Sequence, residues 1–297
     1  KQLTKKEEIE IDLITSSESS FRIEKFSPNI TIHYLDIKKK GIPQYQKDKD
    51  LLNYSWKSLI YCKKLIKQKD FNLVHAFFGI PCGFIAMLLG KPYIVSLRGT
   101  DVPFYNERYK IPDSLIFKWL SPIIWKRAKE VIANSQGLRD LALKTKYQPI
   151  SVIPNGVDIK RFTPKETNND QLKIICTDRL IERKCHKYLI EATKDLPVTI
   201  TFVGDGPLRT FLEKLSNKHK FLGRQPRERI PELLQEHDLY VLPSLNEGMS
   251  NSLLEAMATG LPIITTDTGG SKELIKNNGF IIPKKDSEAI KEKVNLF

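Results

Sequence analysis

The sequence predicts an α/β protein of two doubly wound domains, and three observations carry that prediction. Short apolar runs alternate with stretches at helical spacing along nearly the whole chain. At 297 residues the chain can bury two cores. A turn-rich and then polar break, Pro154-Asn-Gly-Val-Asp158 through Phe162-Thr-Pro164 to residues 165–171, divides two such series. Alternating strand and helix imply parallel sheets with right-handed crossovers.

Taken in order, the first series predicts strands over 9–14, 30–35, 73–76, 93–97, 131–133 and 151–153. Helical patterns separate them near 49–69, 80–89, 113–128 and 135–145. The second series predicts strands over 173–176, 198–203, 221–222, 239–242, 263–265 and 280–282. Its helices fall near 185–195, 207–218, 227–236, 251–259 and 270–276. The domains expected are 1–156 and 172–297, joined by a linker over 157–171. The 18 residues from Leu73 to Gly90 carry no charge. Pro81 and three glycines break them, so they read as a buried strand, a turn and a buried helix rather than a membrane span.

Composition narrows the function classes. A hydrophobic content of 40% is globular. The four cysteines (Cys62, Cys82, Cys176, Cys185) form no CxxC pair, as expected of a reduced cytoplasmic protein. Cys185 and His186 are adjacent rather than spaced for shared metal ligation. The net charge is +13. Residues 1–150 hold 26 Lys and Arg against 15 Asp and Glu, and residues 151–297 hold 22 against 20. A basic first half favours a negatively charged partner there: anionic membrane, acidic glycan or phospholipid-linked acceptor. A lysine-rich proteome is the plain alternative. No basic run interleaves with aromatics, so nucleic acid is not expected. The charged, polar start from Lys1 carries no secretory signal pattern.

The chemistry concentrates in Glu247-Gly-Met-Ser-Asn-Ser-Leu-Leu-Glu255. Two carboxylates stand eight positions apart, one before a helix start and one inside the helix. Ser250 and Asn251 are N-cap candidates, and the helix's first amides suit a phosphate. Glu255 is placed to accept hydrogen bonds from neutral hydroxyls. Amide donors beside carboxylate acceptors describe a pocket for a sugar nucleotide; an ordinary helix with a charged flank is the bland reading.

Further along the same lines, Arg179 and Lys184 in Thr177-Asp-Arg-Leu-Ile-Glu-Arg-Lys184 follow a strand end, where two cations neutralise a diphosphate or merely decorate a solvated loop. Val203-Gly-Asp-Gly-Pro207 is a strand-to-helix turn. In the first half, Ser96-Leu-Arg98-Gly99-Thr-Asp101 follows a strand, with a structural Arg98–Asp101 salt bridge as the alternative to ligand contact. His75 has apolar flanks and reads first as a satisfied core histidine. Asp48-Lys-Asp50 reads as helix-start acids rather than a metal motif.

Glu247 to Glu255 resembles the E-x7-E signature of retaining GT-B glycosyltransferases of family 4, the glycosyl transferases group 1. The wording of residues 153–164, 177–184, 203–207 and 266–270 is similar to that family in the same order. The resemblance covers nearly the whole chain and is more specific in its second half. It implies a GT-B fold, two Rossmann-like domains facing across a cleft. The activity implied is transfer of a sugar from a nucleotide-sugar donor to an acceptor hydroxyl with retention. It further implies synthesis of cell-surface polysaccharide, lipopolysaccharide or glycolipid. Arg179, Lys184 and Glu247 would be catalytic. Gly204, Gly206, Gly248, Met249, Ser250, Asn251, Ser252 and Glu255 would hold the donor, Glu255 through its ribose. His75, Arg98, Gly99 and Asp101 would line the acceptor side. A UDP-sugar is favoured over a GDP-sugar, and no cofactor or metal is expected. A sugar-nucleotide epimerase of the same fold and a binding-only paralogue are the alternatives.

Asp178 and Cys185 stand where that family usually has glycine, and Arg98 where it has histidine. Asp178 is expected to pair partly with Arg179. The strand at 9–14 looks like the family's second, so a first strand with its glycine-rich turn, and the C-terminal helices, are expected to lie outside this chain. Leu52, Trp56, Leu59 and Ile66, flanked by Lys57, Lys63, Lys64, Lys67 and Lys69, share one helix face. Phe117, Trp119, Ile123 and Ile124 form a second apolar stretch. Core packing and peripheral membrane contact compete at both places, on a cytoplasmic protein.

Overall fold

The computed structural model describes residues 3–6, 8–17, 19–38, 48–106, 110–165 and 169–297. Linker residues 166–168 and the side chain of Asp48 lie outside them. The chain falls into two compact units, Lys1–Ser96 with Ile123–Glu130, and Leu97–Pro122 with Val131–Phe297.

The first unit opens with three strands, β1 (Ile11–Ser17), β2 (Arg22–Ser27) and β3 (Ile30–Asp36). Their order is β1-β3-β2, with β1 parallel and β2 antiparallel to β3. The sequence reading missed β2. Its apolar residues Ile23 and Phe26 stand three apart rather than alternating, and both faces are largely exposed, so neither an apolar run nor a period of two marks it. Asn29 closes this corner, its Nδ2 donating to the carbonyls of Leu3, Lys6 and Ile9 at 2.9, 2.9 and 3.1 Å. Helix α1 (Asp48–Gln68) follows, then β4 (Val74–Phe77), a turn over Gly79–Gly83, α2 (Phe84–Leu88) and β5 (Tyr93–Leu97). Strands β4 and β5 pair in parallel, Val74 against Tyr93. The uncharged run is thus a strand, a turn and a helix, as expected, but the strand is not buried: Leu73, His75 and Phe77 are exposed and only Ala76 is enclosed. No helix among the described residues is long and apolar enough to cross a membrane.

On α1, core packing fails for two of the expected residues: Leu52 is 73% exposed and Trp56 66%. Ile60, one turn on, shares that exposed face, and Leu59 and Ile66 are half-buried. A helical run then comprises α3 (Lys110–Pro112), a wide turn over Asp113–Phe117, and α4 (Lys118–Arg127). Its expected apolar stretch splits the same way. Trp119 and Ile123 are exposed, Phe117 is half-buried, and Ile124 is fully buried.

The second unit holds β6 (Glu130–Ala133) from Val131 on, α5 (Gln136–Thr145) and β7 (Ser151–Val152), with β6 and β7 parallel. Then come β8 (Lys173–Thr177), α6 (His186–Ala192), β9 (Thr199–Val203), α7 (Arg209–Leu215) and β10 (Lys220–Gly223). The series ends with α8 (Ile230–Gln235), β11 (Leu239–Leu242), α9 (Asn251–Ala258), β12 (Ile263–Thr266), α10 (Gly269–Leu274), β13 (Gly279–Ile282) and α11 (Ser287–Val294). Six of these strands form one parallel sheet, β10-β9-β8-β11-β12-β13.

Both faces of that sheet's middle are covered, which is why inner strands β8 and β11 read as short apolar runs. Ile174, Val241 and Ile264 enter one core with Leu189 and Phe202. Their neighbours Ile175, Tyr240 and Ile263 enter the other with Leu233 and Leu253. Strand order reverses between β8 and β11, so the loops leaving their carboxyl ends meet at the point where such sheets bind ligands.

Candidate active site

The loop after β8 carries Asp178 and Arg179, then one tight turn over Glu182–Lys184. Cys185 ends that turn in the left-handed region, φ 54°, a conformation glycine adopts without strain. The turn delivers Lys184 to the sheet end, where it is only 4% exposed. Its Nζ lies 2.5 Å from Glu247 Oε1 and also contacts Asp178 Oδ2. Burial disfavours the charged ammonium, but Asp178 and Glu247 outweigh it and raise the Lys184 pKa. Asp178 does not pair with the Arg179 side chain as expected: its carboxylate goes to Lys184, and its Oδ1 accepts from the Arg179 backbone N–H at 2.7 Å. The Arg179 side chain is exposed.

Strand β11 leads to Glu247 through Pro243–Asn246. Arg183, which the sequence reading passed over, braces this loop. Its Nη1 donates to the Asn246 carbonyl at 2.8 Å and to Tyr105 Oη at 3.3 Å, and its own carbonyl accepts from Leu245 N–H at 2.8 Å. Tyr105 is buried, and burial foremost, with Glu247 nearby, pushes its phenol far up. No sequence pattern marked Tyr105. Only the fold brings its loop to Glu247.

Helix α9 starts at Ser250, whose Oγ accepts from Leu253 N–H at 3.4 Å and meets Ser252 Oγ at 2.9 Å. The expected cap at Ser250 is therefore present. The first-turn amides of α9 have no carbonyl within the helix to bond. Asn155 holds the approach, its Nδ2 donating to the Met249 carbonyl at 3.0 Å and to Asn251 Oδ1 at 2.9 Å. The Pro-Asn-Gly words around Asn155 were the available signal.

Four loops of this unit touch at the same place. A Cβ on Gly248 would stand 2.9 Å from Asn134 Oδ1 and 3.2 Å from the Arg98 carbonyl. One on Gly270 would sit 1.9 Å from the Gly248 carbonyl, and one on Gly137 2.5 Å from Gly269 Cα. Backbones this close leave no room for side chains. Gly137 N–H donates to Glu273 Oε1 at 2.9 Å. Asn134 Oδ1 is buried without a hydrogen-bond partner among the described residues. Asp101 Oδ1 accepts from the N–H groups of both Arg98 and Gly99 at 2.9 Å, which fixes that loop.

The remaining expected residues lie as follows. Glu255, half-buried on α9, stands within electrostatic reach of Arg227 and Arg161, yet burial dominates and raises its pKa. Gly204 and Gly206 press against the β8 loop. Added Cβ atoms would meet the Asp178 carbonyl at 2.0 Å and the Leu180 carbonyl at 2.3 Å. His75 belongs to the first unit. The core-histidine reading is corrected: His75 is exposed, bonded to Ser96 Oγ at 2.7 Å and stacked on Phe77 with centroids 4.4 Å apart. Strand alternation turns it away from buried Ala76.

The geometry agrees with similarity to known proteins. The family described as Glycosyl transferases group 1 matches residues 158–297, and that described as Glycosyltransferase Family 4 matches residues 2–161. This chain belongs to Glycosyltransferase Family 4. It is 31% identical over 255 residues to TuaC of Bacillus subtilis (strain 168), named as a teichuronic acid biosynthesis glycosyltransferase. That match covers 79% of this chain and 64% of the relative, so the chain spans somewhat less than two-thirds of TuaC. It is 32% identical over 265 residues to the UDP-Gal:alpha-D-GlcNAc-diphosphoundecaprenol alpha-1,3-galactosyltransferase of Escherichia coli, covering 78% and 68%.

Among solved structures, sucrose-phosphate synthase from Thermosynechococcus elongatus superposes with a TM-score of 0.82 at 19% identity, covering 96% of this chain and 78% of that one. Anabaena Alr3699/HepE in complex with UDP and glucose gives 0.70 at 20% identity, covering 90% and 76%. At such identities the likeness concerns the fold, which is GT-B, as in other members of the family.

Proposed function

We propose that this chain transfers a sugar from a nucleotide-sugar donor, a UDP-sugar by preference, to a hydroxyl of a glycan or lipid-linked acceptor. The setting is synthesis of cell-surface polysaccharide, lipopolysaccharide or glycolipid. The observation that carries the reading is the meeting of Lys184 and Glu247 beside the α9 N-terminus, where a diphosphate and its sugar find a cation, amides and a carboxylate together. The similarity to two polysaccharide- and lipid-linked-sugar glycosyltransferases supports the substrate class.

In this reading Arg179, Lys184 and the amides over Met249–Ser252 stabilise the departing diphosphate, and no metal is needed. Glu247 orients the donor sugar, whose configuration is retained. Glu255 accepts from the ribose, and Gly204 and Gly206 let the β8 loop approach the nucleotide. His75, Arg98, Gly99 and Asp101 serve the acceptor. Domains over 1–156 and 172–297, with a linker at 157–171, divide acceptor from donor binding. The exposed α1 face of Leu52, Trp56 and Ile60, running into Lys63, Lys64 and Lys67, supports docking on an anionic cytoplasmic membrane surface.

The test is product analysis with UDP-, GDP- and ADP-sugars and a polyprenyl-diphosphate-linked sugar acceptor, with and without chelator. Sugar transferred with retained anomeric configuration, and lost in Glu247→Ala, supports the reading. Donor isomerised without acceptor, or bound without turnover, overturns it.

A further inference from the structure

Lys184 does not wait as a free cation. Its ammonium is held between two carboxylates, Glu247 Oε1 at 2.5 Å and Asp178 Oδ2, all three groups nearly out of solvent. One cation between two anions leaves this cluster with a net negative charge, at the position where the proposed function seats a diphosphate.

Asp178 is not free to leave. Its Oδ1 is bound to Arg179 N–H at 2.7 Å. Its own N–H donates to the Val203 carbonyl at 2.9 Å, and the Gly204 backbone packs against its carbonyl. Its Oδ2 is buried, with the Lys184 ammonium as its contact and no hydrogen-bond donor aligned to it among the described residues. An incoming diphosphate therefore competes with a fixed carboxylate for the same ammonium. Arg179 differs: it is exposed, and among the described residues its guanidinium takes no partner.

We infer that Asp178 is a positioning residue that holds Lys184 and weakens the site's grip on the nucleoside diphosphate, so that the spent nucleotide leaves readily. Arg179 makes the first contact with the diphosphate, and Lys184 follows by sharing its protons between phosphate oxygen and Asp178. The inference rests on the donor reading of this site.

The experiment is calorimetric titration of UDP and of inorganic pyrophosphate into the wild type, Asp178→Asn and Asp178→Glu, at low and high salt, with melting temperatures alongside. Removing one buried anion near the phosphates should tighten UDP and pyrophosphate on the order of tenfold in Asp178→Asn. The gain should shrink at high salt, and Asp178→Glu should fall back toward the wild type. In turnover, KM for the donor and kcat should both fall in Asp178→Asn. A merely structural aspartate would lower the melting temperature and weaken binding, never tighten it. Unchanged or weaker binding in Asp178→Asn, with the wild type binding normally, overturns this inference alone. No binding of UDP or pyrophosphate to either protein overturns the donor reading with it.

Discussion

Lys184 Nζ lies 2.5 Å from Glu247 Oε1, and this contact joins the loop after β8 to the loop after β11 across the strand-order reversal. Sixty-three residues separate the two in sequence. Their meeting depends on parallel strands β8 and β11 lying side by side, Ile175 against Tyr240.

Deleting the cation should be costly. Lys184→Met leaves Asp178 and Glu247 buried without compensation, a loss of about 3–5 kcal/mol in unfolding free energy. Urea titration of Lys184→Met, Asp178→Asn and the double variant checks it. The double variant should be more stable than the sum of the single losses predicts. Strict additivity would mean that the two side chains do not interact.

His186 sets an acid limit. It is fully enclosed on α6, edge-on to Phe202 at 5.5 Å, and neither ring nitrogen has a hydrogen-bond partner among the described residues. Burial, with Lys184 nearby, pushes its pKa down to about 3. Burial likewise pushes His219 down to about 4. Folded values below the ordinary 6.5 mean stability is fully present above pH 6.5 and is lost as pH falls from there toward 3. Urea midpoints at pH 7.5 and 5.0 should show this loss in the wild type and a smaller one in His186→Leu. Equal losses would contradict it.

Glu255 behaves oppositely. Its raised pKa means the ionised form strains the fold, so its contribution is favourable at low pH and disappears as pH rises through the folded value. At pH 7, Glu255→Gln should be as stable as the wild type or more so, yet bind UDP roughly tenfold more weakly if the carboxylate accepts from ribose. Thermal melts with and without UDP separate the two effects.

Close backbone packing gives a steric prediction. In Gly270→Ala the new Cβ meets the Gly248 carbonyl at 1.9 Å, and the loop carrying Glu247 must move. A stability loss of about 1–3 kcal/mol is expected, with weakened UDP binding. Gly156, with open space around it, is the control, and Gly156→Ala should leave both unchanged.

Much of this was legible in the chain. In the six-stranded sheet every strand was anticipated to within a residue or two, because burial on both faces gives inner strands such as β8 and β11 short apolar runs bounded by turns. Edge strand β2 was not, since Ile23 and Phe26 stand three apart among charged residues and stay exposed. At the candidate site, the cap at Ser250 was legible because capping is local, whereas Lys184 and Glu247 were singled out chiefly by their resemblance to family wording. Tyr105, Arg183 and Asn134 were missed. Each has its meaning only through contacts with loops far away in sequence, and Arg183 looked like the flank of Lys184.

Amide hydrogen exchange with and without UDP tests the central claim most directly. Slowed exchange at Met249–Ser252 together with Arg179–Lys184 is the predicted result, since the diphosphate would cap the α9 amides and order the β8 loop. Protection confined to other segments, or none at saturating UDP, would contradict a donor site at this end of the sheet.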